Sequence, residues 1–319
     1  MTDPVLVADI GGTNARFALA VSGEGAVTIS NMQSFRAADF ETIRDAVKAY
    51  LDAVTARPKV ACFAVAGPVT GDVIAFTNAR WRLEIAKFKA GLTLDRFLVV
   101  NDFEALASGV RHLQKPDFTP VKPGFAERQA PVLVIGPGTG LGQALIVPCD
   151  GRDRIIPTEG GHIAFAPQTD EENAVIEWLA RTYSRVSVER LLSGRGLVNI
   201  YDALNALNRT PCVPLQADEI TQAAMTTSDP IAVKAIGMFC DVLGAGVGDA
   251  VLSLGARGGV VLGGGILPKI REMFLKSRFV DRFLDKGRMR AYVEKVPVDL
   301  IVTDGAALIG AAAILREQV

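Results

Sequence analysis

The 319-residue chain has few cysteines and almost no net charge. Its cysteines, Cys62, Cys149, Cys212 and Cys240, are far apart and form no CxxC pair, which argues against a zinc knuckle and a disulfide framework. We expect them to be buried, reduced thiols. The formal net charge is −1 and no run of like charges is present. The composition therefore gives no reason to expect nucleic acid or an anionic membrane as a partner.

Long apolar runs are also missing. The stretch from Gly305 to Leu315 is too short to span a bilayer, and the run from Leu243 to Leu267 is interrupted by Asp249 and Arg257. The first residues lack the basic and apolar regions of a signal peptide. We therefore expect a cytoplasmic protein with no membrane partner. Hydrophobic residues make up 49% of the chain, and this length suggests about two domains.

Short continuous apolar runs alternate with apolar residues at helical spacing, which is the pattern of an α/β protein. The runs predict strands at residues 5–8, 17–21, 60–66, 97–100, 132–135, 143–147, 260–262 and 298–302. Helices are predicted to follow Asp39 and Asp170 as N-caps, and to cover Phe103–Leu113. The segment from Gln114 to Gln129, with three prolines and several charges, is predicted to be a connector between domains.

The run Leu6 to Leu19 contains the most informative pattern, LVADIGGTNARFAL. An acid, two glycines, a threonine and an arginine lie between two strand-like stretches. The glycines permit a turn with positive φ and let backbone N–H groups approach an anion. The pattern predicts a phosphate-binding hairpin, with Asp9 beside Mg²⁺. An ordinary hairpin turn is the alternative. The residues that would contact phosphate are Gly11, Gly12, Thr13, Asn14 and Arg16.

A second hairpin repeats the first in outline. Aligning Gly138-Thr139 with Gly12-Thr13 also aligns Ala144-Leu145 with Ala18-Leu19, within apolar strands on both sides. Such a duplication implies two related lobes facing each other, with one glycine turn on each. Coincidence among glycine-rich turns is the alternative.

Three further places in the sequence are candidates for ligand binding or catalysis. Asn101 and Asp102 follow a predicted strand and begin a predicted helix, where α/β proteins gather ligands, although a helix N-cap explains them equally. Glu159 and His162 flank two glycines and can converge on a small polar ligand. His162 is one of two histidines, and no third ligand for a metal is evident nearby. Gly263 to Gly265 suit either an adenosine surface or a close-packed turn.

One competing motif is Gly244 to Asp249, GAGVGD, which is similar to the anion hole and base of ribokinase-like sugar kinases. It lies inside a longer pattern from Met238 to Leu254 that predicts a helix with glycines on a packed face. We therefore favour the helix.

Taken together, the motifs resemble the bacterial ATP-dependent glucokinases, which belong to the superfamily of hexokinase, actin and heat-shock chaperone ATPases. The matching segments, in the family's order, are LVADIGGTNARFAL, AVAGPV, TNARW, VVNDFEALASG, VIGPGTGLG, PTEGGHIAFAP, ERLLSGRGL and LGGGI. The resemblance implies an α/β, two-lobed actin/hexokinase-like (ribonuclease H-like) fold with a central cleft. Its small domain would comprise residues 1–113 plus 303–319, and its large domain residues 114–302.

The resemblance also implies roles for single residues. Asp102 would be the general base toward the 6-hydroxyl of glucose, and Asp9 would hold Mg²⁺, through water. The other sugar contacts would be Asn78, Asn101, Glu159, His162 and Glu189. ATP phosphates would be held by the first turn together with Gly138 and Thr139, and the adenosine would lie against Gly264 and Gly265. The products would be glucose 6-phosphate and ADP, at the entry to glycolysis, and the enzyme would be a homodimer.

Two other functions stay open. The related ROK sugar kinases share the first motif and a Glu-x-Gly-His element but usually carry a cysteine-rich zinc cluster after the histidine, whereas no cysteine falls between His162 and Cys212 here. A ROK-like kinase of another hexose or amino sugar is therefore one alternative. A catalytically inactive, sugar-sensing homologue is the other, and ATP consumption that rises only with added hexose would separate it from an enzyme.

Overall fold

A computed structural model describes residues 3–23, 27–76, 81–210 and 213–317. The chain forms two compact units. The first consists of Met1–Asp117, Ile155–Pro157 and Thr303–Val319, and the second of Phe118–Arg154 and Thr158–Val302.

Strands and helices alternate along much of the chain, so the fold is mixed α/β as predicted. The strands are β1 Val5–Ile10, β2 Asn14–Ser22, β3 Val27–Arg36, β4 Val60–Val65, β5 Val73–Ala75, β6 Arg82–Glu84, β7 Arg96–Asn101, β8 Phe118–Lys122, β9 Val132–Pro137, β10 Leu141–Cys149, β11 Arg152–Thr158, β12 Gly259–Leu262 and β13 Val298–Ile301. The helices are α1 Ile43–Ala53, α2 Ile85–Gly91, α3 Asp102–Val110, α4 Asp170–Ala180, α5 Gly194–Leu207, α6 Ala217–Met225, α7 Pro230–Leu254, α8 Arg271–Leu275, α9 Phe279–Leu284, α10 Arg290–Glu294 and α11 Ala306–Glu317.

The first unit is built on a five-stranded sheet in the order β3-β2-β1-β4-β7. β1, β4 and β7 are parallel, and β2 is antiparallel to both β1 and β3. Both faces of β1 are covered, which explains its continuous apolar sequence. Leu6, Ala8 and Ile10 belong to one buried cluster, whereas Val5 and Val7 belong to another that includes residues of α3 and α11.

The sheet of the second unit repeats this order. It runs β11-β10-β9-β12-β13-β8, with β9, β12 and β13 parallel and β10 antiparallel to β9. In both sheets, three strands that are consecutive in sequence lie side by side, and they are followed by two strands that are parallel to the nearest of the three. This repeat confirms the predicted duplication. The hairpins differ by one residue in register. Ala8 pairs with Phe17 in the first hairpin, but the equivalent Val134 pairs with Ala144 in place of Gln143.

The predicted connector is only partly irregular. Its Phe118–Lys122 segment is β8, the edge strand antiparallel to β13, so the prediction is wrong there. Pro120 pairs with Asp299 beside a register shift. A proline cannot donate to a strand ladder and is tolerated at a sheet edge, which is why its presence did not indicate a strand.

Two predicted helix caps are also wrong, each by a short distance. Thr42, and not Asp39, caps α1 by accepting a hydrogen bond from the Asp45 N–H. Thr169 caps α4 by accepting from the Glu172 N–H, so Asp170 is the first residue of the helix. Asp ranks slightly above Thr as an N-cap by residue type, so residue type alone favoured the wrong one of two closely spaced candidates.

Helix α7 is the central helix of the second unit. It is long and apolar enough to cross a membrane by length and composition, but 67% of its most apolar window is buried inside the protein. This burial is that of a core helix. Gly244 packs against the Phe279 carbonyl and Gly248 against the Phe283 carbonyl of α9. The predicted helix with glycines on a packed face is therefore confirmed.

Three cysteines lie within the described residues, and none of them is in a disulfide. Cys62 and Cys240 are buried, and burial raises the pKa of each thiol to about 12, which keeps both protonated at neutral pH. Cys149 is only partly buried, so the prediction of burial is wrong for it. Cys212 lies outside the described residues.

Candidate functional site

The first glycine turn joins β1 to β2 at the carboxyl end of β1. The Gly11 N–H donates to the Asn14 carbonyl at 2.9 Å, and the Thr13 carbonyl accepts from the Ala37 N–H at 2.9 Å. Thr13 and Asn14 are exposed. Neither Gly11 nor Gly12 has a positive φ. The predicted use of positive φ in this turn is therefore wrong, although the tight turn itself is present.

Asp9 and Arg16 lie opposite each other in this hairpin. They are direct partners across β1 and β2, so their side chains share one face of the sheet. Arg16 Nη1 lies 3.6 Å from Asp9 Oδ2, and the Asp9 side chain is 24% exposed. Burial raises the pKa of the Asp9 carboxyl, and the Arg16 charge opposes that rise. A cation beside this carboxylate would offset its lost hydration.

Asn101 and Asp102 lie at the same edge of the sheet as the first turn. Ile10, Val65 and Asn101, at the carboxyl ends of three parallel strands, are aligned in register. Ligands of open α/β sheets bind outside such strand ends. The first unit therefore brings together the first turn, Asn101 and Asp102.

Asn101 is the N-cap of α3. Its Oδ1 accepts hydrogen bonds from the N–H groups of Phe103 at 2.9 Å and Glu104 at 3.1 Å, and its Nδ2 donates to the Gly67 carbonyl at 3.1 Å. Asn101 therefore acts as a helix N-cap, which was the alternative to ligand binding in the sequence analysis. An amide nitrogen carries two donors, so a second N–H is left for a hydroxyl group.

Asp102 is the first residue of α3 and is half-buried. Its Oδ1 accepts a hydrogen bond from the Phe103 N–H at 2.9 Å. The N-terminus of a helix of this length favours a negative charge. An ionised carboxylate held in this way is suited to accept a proton from a substrate hydroxyl.

The second glycine turn has the equivalent place in the second unit. It joins β9 to β10, and its Gly138 carbonyl accepts a hydrogen bond from the Gly194 N–H at 2.9 Å. Thr139 is exposed, and a Cβ atom built on Gly138 would meet no atom within 4 Å. The turn therefore has open space beside it for a ligand.

Gly263 to Gly265 follow β12, which is parallel to β9, and so lie at the same sheet edge as the second turn. The Gly263 N–H donates to the Ile135 carbonyl at 3.0 Å. Gly264 has φ of +83°, and a side chain there would overlap the Pro137 carbonyl. The close-packed turn is the observed arrangement at Gly264. Gly265 is exposed, with no atom within 4 Å of a built Cβ, so it alone leaves room for a ligand.

Glu159 and His162 converge as predicted. His162 Nε2 lies 3.6 Å from Glu159 Oε2, and their side chains are 60% and 54% exposed respectively. The intervening glycines pack against β10, because a Cβ on Gly160 would overlap Gln143 Oε1 and one on Gly161 would overlap the Leu141 carbonyl. The backbone of this loop is therefore held against β10, and both side chains are exposed to solvent.

Glu189 lies on a 3₁₀-helix, Val188–Arg190, and is half-buried. Its Oε2 accepts a hydrogen bond from the Leu141 N–H at 2.9 Å. The carboxylate therefore touches the end of the second glycine turn, a contact that the sequence did not predict. Leu141 and Glu189 are 48 residues apart, and no local pattern links them.

Gln143 is a residue that the sequence analysis missed. It is 5% exposed and supports Gly160 within the Glu159 loop. A polar residue inside an otherwise apolar return strand was the available signal. Asn78, a predicted sugar contact, lies outside the described residues.

Metal sites of the usual kind are not evident in the described residues. Across residues 3–23, 27–76, 81–210 and 213–317, no group of three or more His, Cys, Asp or Glu side chains could hold a metal ion. Asp9 offers one carboxylate, and Mg²⁺ in nucleotide sites commonly binds one or two carboxylates and substrate phosphates while keeping several waters. The donor set fits Mg²⁺ brought with a polyphosphate better than a permanently bound ion.

The anion-hole alternative at Gly244 to Asp249 is excluded by the helix α7. Asp249 Oδ1 pairs with Lys286 Nζ at 2.9 Å, and Gly244 and Gly248 are occupied by packing against α9 and Lys286. These glycine N–H groups are part of a continuous helix and do not form a loop.

Known proteins show the same fold and extensive sequence identity. A family model described as Glucokinase matches residues 6–318. The glucokinase of Nitrobacter hamburgensis is 42% identical over 314 residues, covering 98% of this chain and 97% of that protein. The crystal structure of glucokinase from an Antarctic psychrotroph has a TM-score of 0.84 at 38% identity, covering 99% of this chain and 100% of that one.

A more distant structure shows the fold alone. It is the ROK family glucokinase from Streptomyces griseus, solved in complex with glucose and AMPPNP, with a TM-score of 0.69 at 22% identity over 98% of this chain and 99% of that one. The family model and the near-full-length identity confirm the resemblance found in the sequence: the chain belongs to the glucokinase family.

Proposed function

We propose that this chain transfers the γ-phosphoryl group of ATP to the 6-hydroxyl of glucose and releases glucose 6-phosphate and ADP. The supporting observation is its 42% identity over nearly its whole length to a glucokinase, with an ionisable carboxylate, Asp102, at the end of a parallel strand. In this reaction the sugar oxygen forms a bond to the γ-phosphorus while the bond from that phosphorus to the β,γ-bridging oxygen breaks.

Asp102 is the general base of the proposal. It accepts the proton of the 6-hydroxyl as the oxygen attacks, and later returns it to solvent. Its hydrogen bond from the Phe103 N–H, 2.9 Å long, fixes one carboxylate oxygen, so that the side chain needs little reorganisation. Preorganised groups of this kind lower the barrier to phosphoryl transfer mainly through positioning and charge.

The sugar contacts of the proposal are Asn101, Glu159, His162, Glu189 and Asn78. Asn101 would donate its second amide N–H to a hydroxyl, because its other polar positions are used within the chain. Glu159 and His162, 3.6 Å apart, can accept from and donate to neighbouring hydroxyl groups. Several such groups discriminate against a sugar that lacks a hydroxyl, since the bound sugar would shield them from water and a missing hydroxyl would leave one of them unpaired.

The nucleotide contacts are the two glycine turns. Gly11 to Asn14 with Arg16, and Gly138 with Thr139, would hold phosphate through hydroxyls, one cation and backbone N–H groups. The N–H groups of Gly11 and Gly138 bond within their own turns, so the backbone donors would come from the other residues of each turn. The adenosine would border Gly264 and Gly265, of which Gly265 has open space beside it. Mg²⁺ would be held by Asp9, through water, and when bound it neutralises phosphate charge.

A panel of hexoses with ATP and MgCl₂, followed by coupled ADP release, tests the proposal. Glucose should be among the best substrates, and ADP release without sugar should be small. Faster turnover of another hexose or an amino sugar would move the chain to a ROK-like specificity. Sugar binding with no ADP release would identify a sensor.

The proposal includes a homodimer, for which family resemblance is the support, and a cytoplasmic location. Sedimentation velocity of the purified protein tests the assembly, and a single species at the 33.9 kDa mass of one chain would contradict it.

A further inference from the structure

The carboxylate of Glu189 occupies the space that a side chain at position 140 would need. A Cβ built on Gly140 would overlap Glu189 Oε2, and the same oxygen accepts the Leu141 N–H at 2.9 Å. Glu189 thus satisfies a backbone donor at the exit of the second glycine turn. A hydrogen bond to a charged acceptor is stronger than one between neutral groups.

A second bond holds the other end of the same turn. The N–H of Gly194, five residues after Glu189, donates to the Gly138 carbonyl at 2.9 Å. The turn is therefore fixed from both ends by one segment, residues 189–194. Within the turn, the Gly138 N–H donates to the Gly140 carbonyl at 2.7 Å.

The segment itself is rigidly supported. Ser193 Oγ donates to the Glu189 carbonyl at 2.8 Å and accepts from the Gly196 N–H at 2.9 Å, which caps α5. The Val188 N–H donates to the Ile163 carbonyl at 2.9 Å, next to His162. One segment therefore joins the loop of Glu159 and His162 to the second glycine turn.

We propose that Glu189 is a positioning residue for the nucleotide: its carboxylate holds the second glycine turn in the conformation that binds phosphate, before any sugar is present. This inference rests on the proposed function and deepens it. Family resemblance gives Glu189 a sugar contact only. If Glu189 contacted only the sugar, its replacement would change the affinity for sugar but would not change the binding of nucleotide in the absence of sugar.

Calorimetric titration with AMPPNP and MgCl₂ in the absence of hexose tests the difference. Glu189→Ala should raise the dissociation constant by about 10-fold, as expected for loss of a hydrogen bond to a charged group. Glu189→Gln, which keeps an acceptor oxygen, should stay within about 3-fold of the unmodified protein. The matched control is Glu177→Ala, because Glu177 is an exposed carboxylate of α4 that the proposed site does not use, so this constant should stay unchanged.

Gly140→Ala tests the contact from the other side. The added methyl should displace the Glu189 carboxylate and weaken AMPPNP binding, but it should add little in a Glu189→Ala background, where the overlapping oxygen is gone. Non-additivity of this kind is the signature of a direct contact. If Glu189→Ala proves unfolded in a thermal melt, Gly140→Ala carries the test.

The outcomes separate this inference from the proposed function. An unmodified protein that neither binds AMPPNP nor phosphorylates hexose would overturn the proposed function. Normal behaviour of the unmodified protein, together with unchanged sugar-free AMPPNP binding in Glu189→Ala or in Gly140→Ala, would overturn the positioning role alone.

Discussion

Gly310 of α11 lies directly against Ala105 of α3, with no room for a side chain between them. A Cβ built on Gly310 would overlap the Ala105 carbonyl oxygen, and one on Gly109 would overlap the Ala306 carbonyl in the reciprocal contact. The two helices therefore meet at their backbones. Helix α3 begins at Asp102, so this contact also fixes the helix that carries the proposed base.

Gly310→Ala should lower the free energy of unfolding by about 2 kcal/mol or more, because a rigid backbone atom cannot move aside as a flexible side chain can. Urea unfolding measures the change. Gly237→Ala is the matched control, since Gly237 is inside α7 and has no atom within 4 Å of a built Cβ. That change should leave stability the same or raise it by about 0.5–1 kcal/mol. Equal effects at the two sites would contradict the contact.

Replacing Asp102 should separate catalysis from folding. Asp102→Ala is expected to lower kcat by ~10² to 10⁴. Asp102→Asn keeps an oxygen that can accept the Phe103 N–H but removes the proton acceptor, so kcat should fall by a similar factor while the melting temperature stays close to that of the unmodified protein. Steady-state kinetics and a thermal melt measure both. Near-normal turnover in either variant would remove Asp102 from the role of base.

Removing one partner of the ion pair between Arg282 and Glu172 should cost far more than removing one partner of a surface pair. Arg282 Nη2 lies 2.5 Å from Glu172 Oε1, with side chains 4% and 3% exposed. Arg282→Met should cost about 3–5 kcal/mol, because it leaves a buried carboxylate unpaired. Replacing both residues with Met should cost less than the sum of the single changes.

The control for that pair is Arg57 with Asp52, whose side chains are both 71% exposed. Arg57→Met should change the free energy of unfolding by less than about 1 kcal/mol. An equally small effect of Arg282→Met would show that the buried pair is dispensable.

His112 should make stability depend on pH. Burial lowers its pKa from 6.5, the charges of Arg111 and Arg316 lower it further, and Glu317 opposes them. In the described residues its Nε2 is buried without a hydrogen-bond partner. The unfolded chain therefore binds the proton more tightly, so the free energy of unfolding should fall as pH drops from 6.5 through the lower pKa of the folded state.

The measurement is the melting temperature between pH 7.5 and 5. His112→Asn should flatten the decline with falling pH, and Arg316→Gln should flatten it partly, because it removes one repelling cation. A pH profile that is the same in His112→Asn as in the unmodified protein would show that other groups cause the decline.

Periodic apolar patterns predicted most of the fold, because strand and helix spacing are local properties of the chain. The aligned glycine turns predicted a repeated unit of strand, turn and strand, which both sheets contain. Thr42 and Thr169 were missed as caps because the aspartates close by rank slightly higher by residue type. Strand β8 was missed because Pro120 is compatible with a strand only at an edge, and edge position is set by the whole sheet.

The candidate site was predictable where neighbours in sequence are neighbours in space. Asp9 and Arg16 share a hairpin, and Glu159 and His162 share one turn. The contact of Glu189 with Leu141 was not predictable, because it joins segments 48 residues apart. Residue type indicated that Asn101 could cap a helix or bind a ligand, and only its hydrogen bonds show that Oδ1 caps the helix while Nδ2 donates to the Gly67 carbonyl.

The proline in edge strand β8 also affects how copies of this chain can meet. An incoming strand needs an unbroken row of donors and acceptors, and Pro120 leaves that row one donor short. Strand β11 at the opposite edge contains Pro157. Both borders of the six-stranded sheet therefore resist extension by a neighbouring molecule. Self-association through this sheet should therefore rely on its side-chain surfaces and not on strand pairing at its borders.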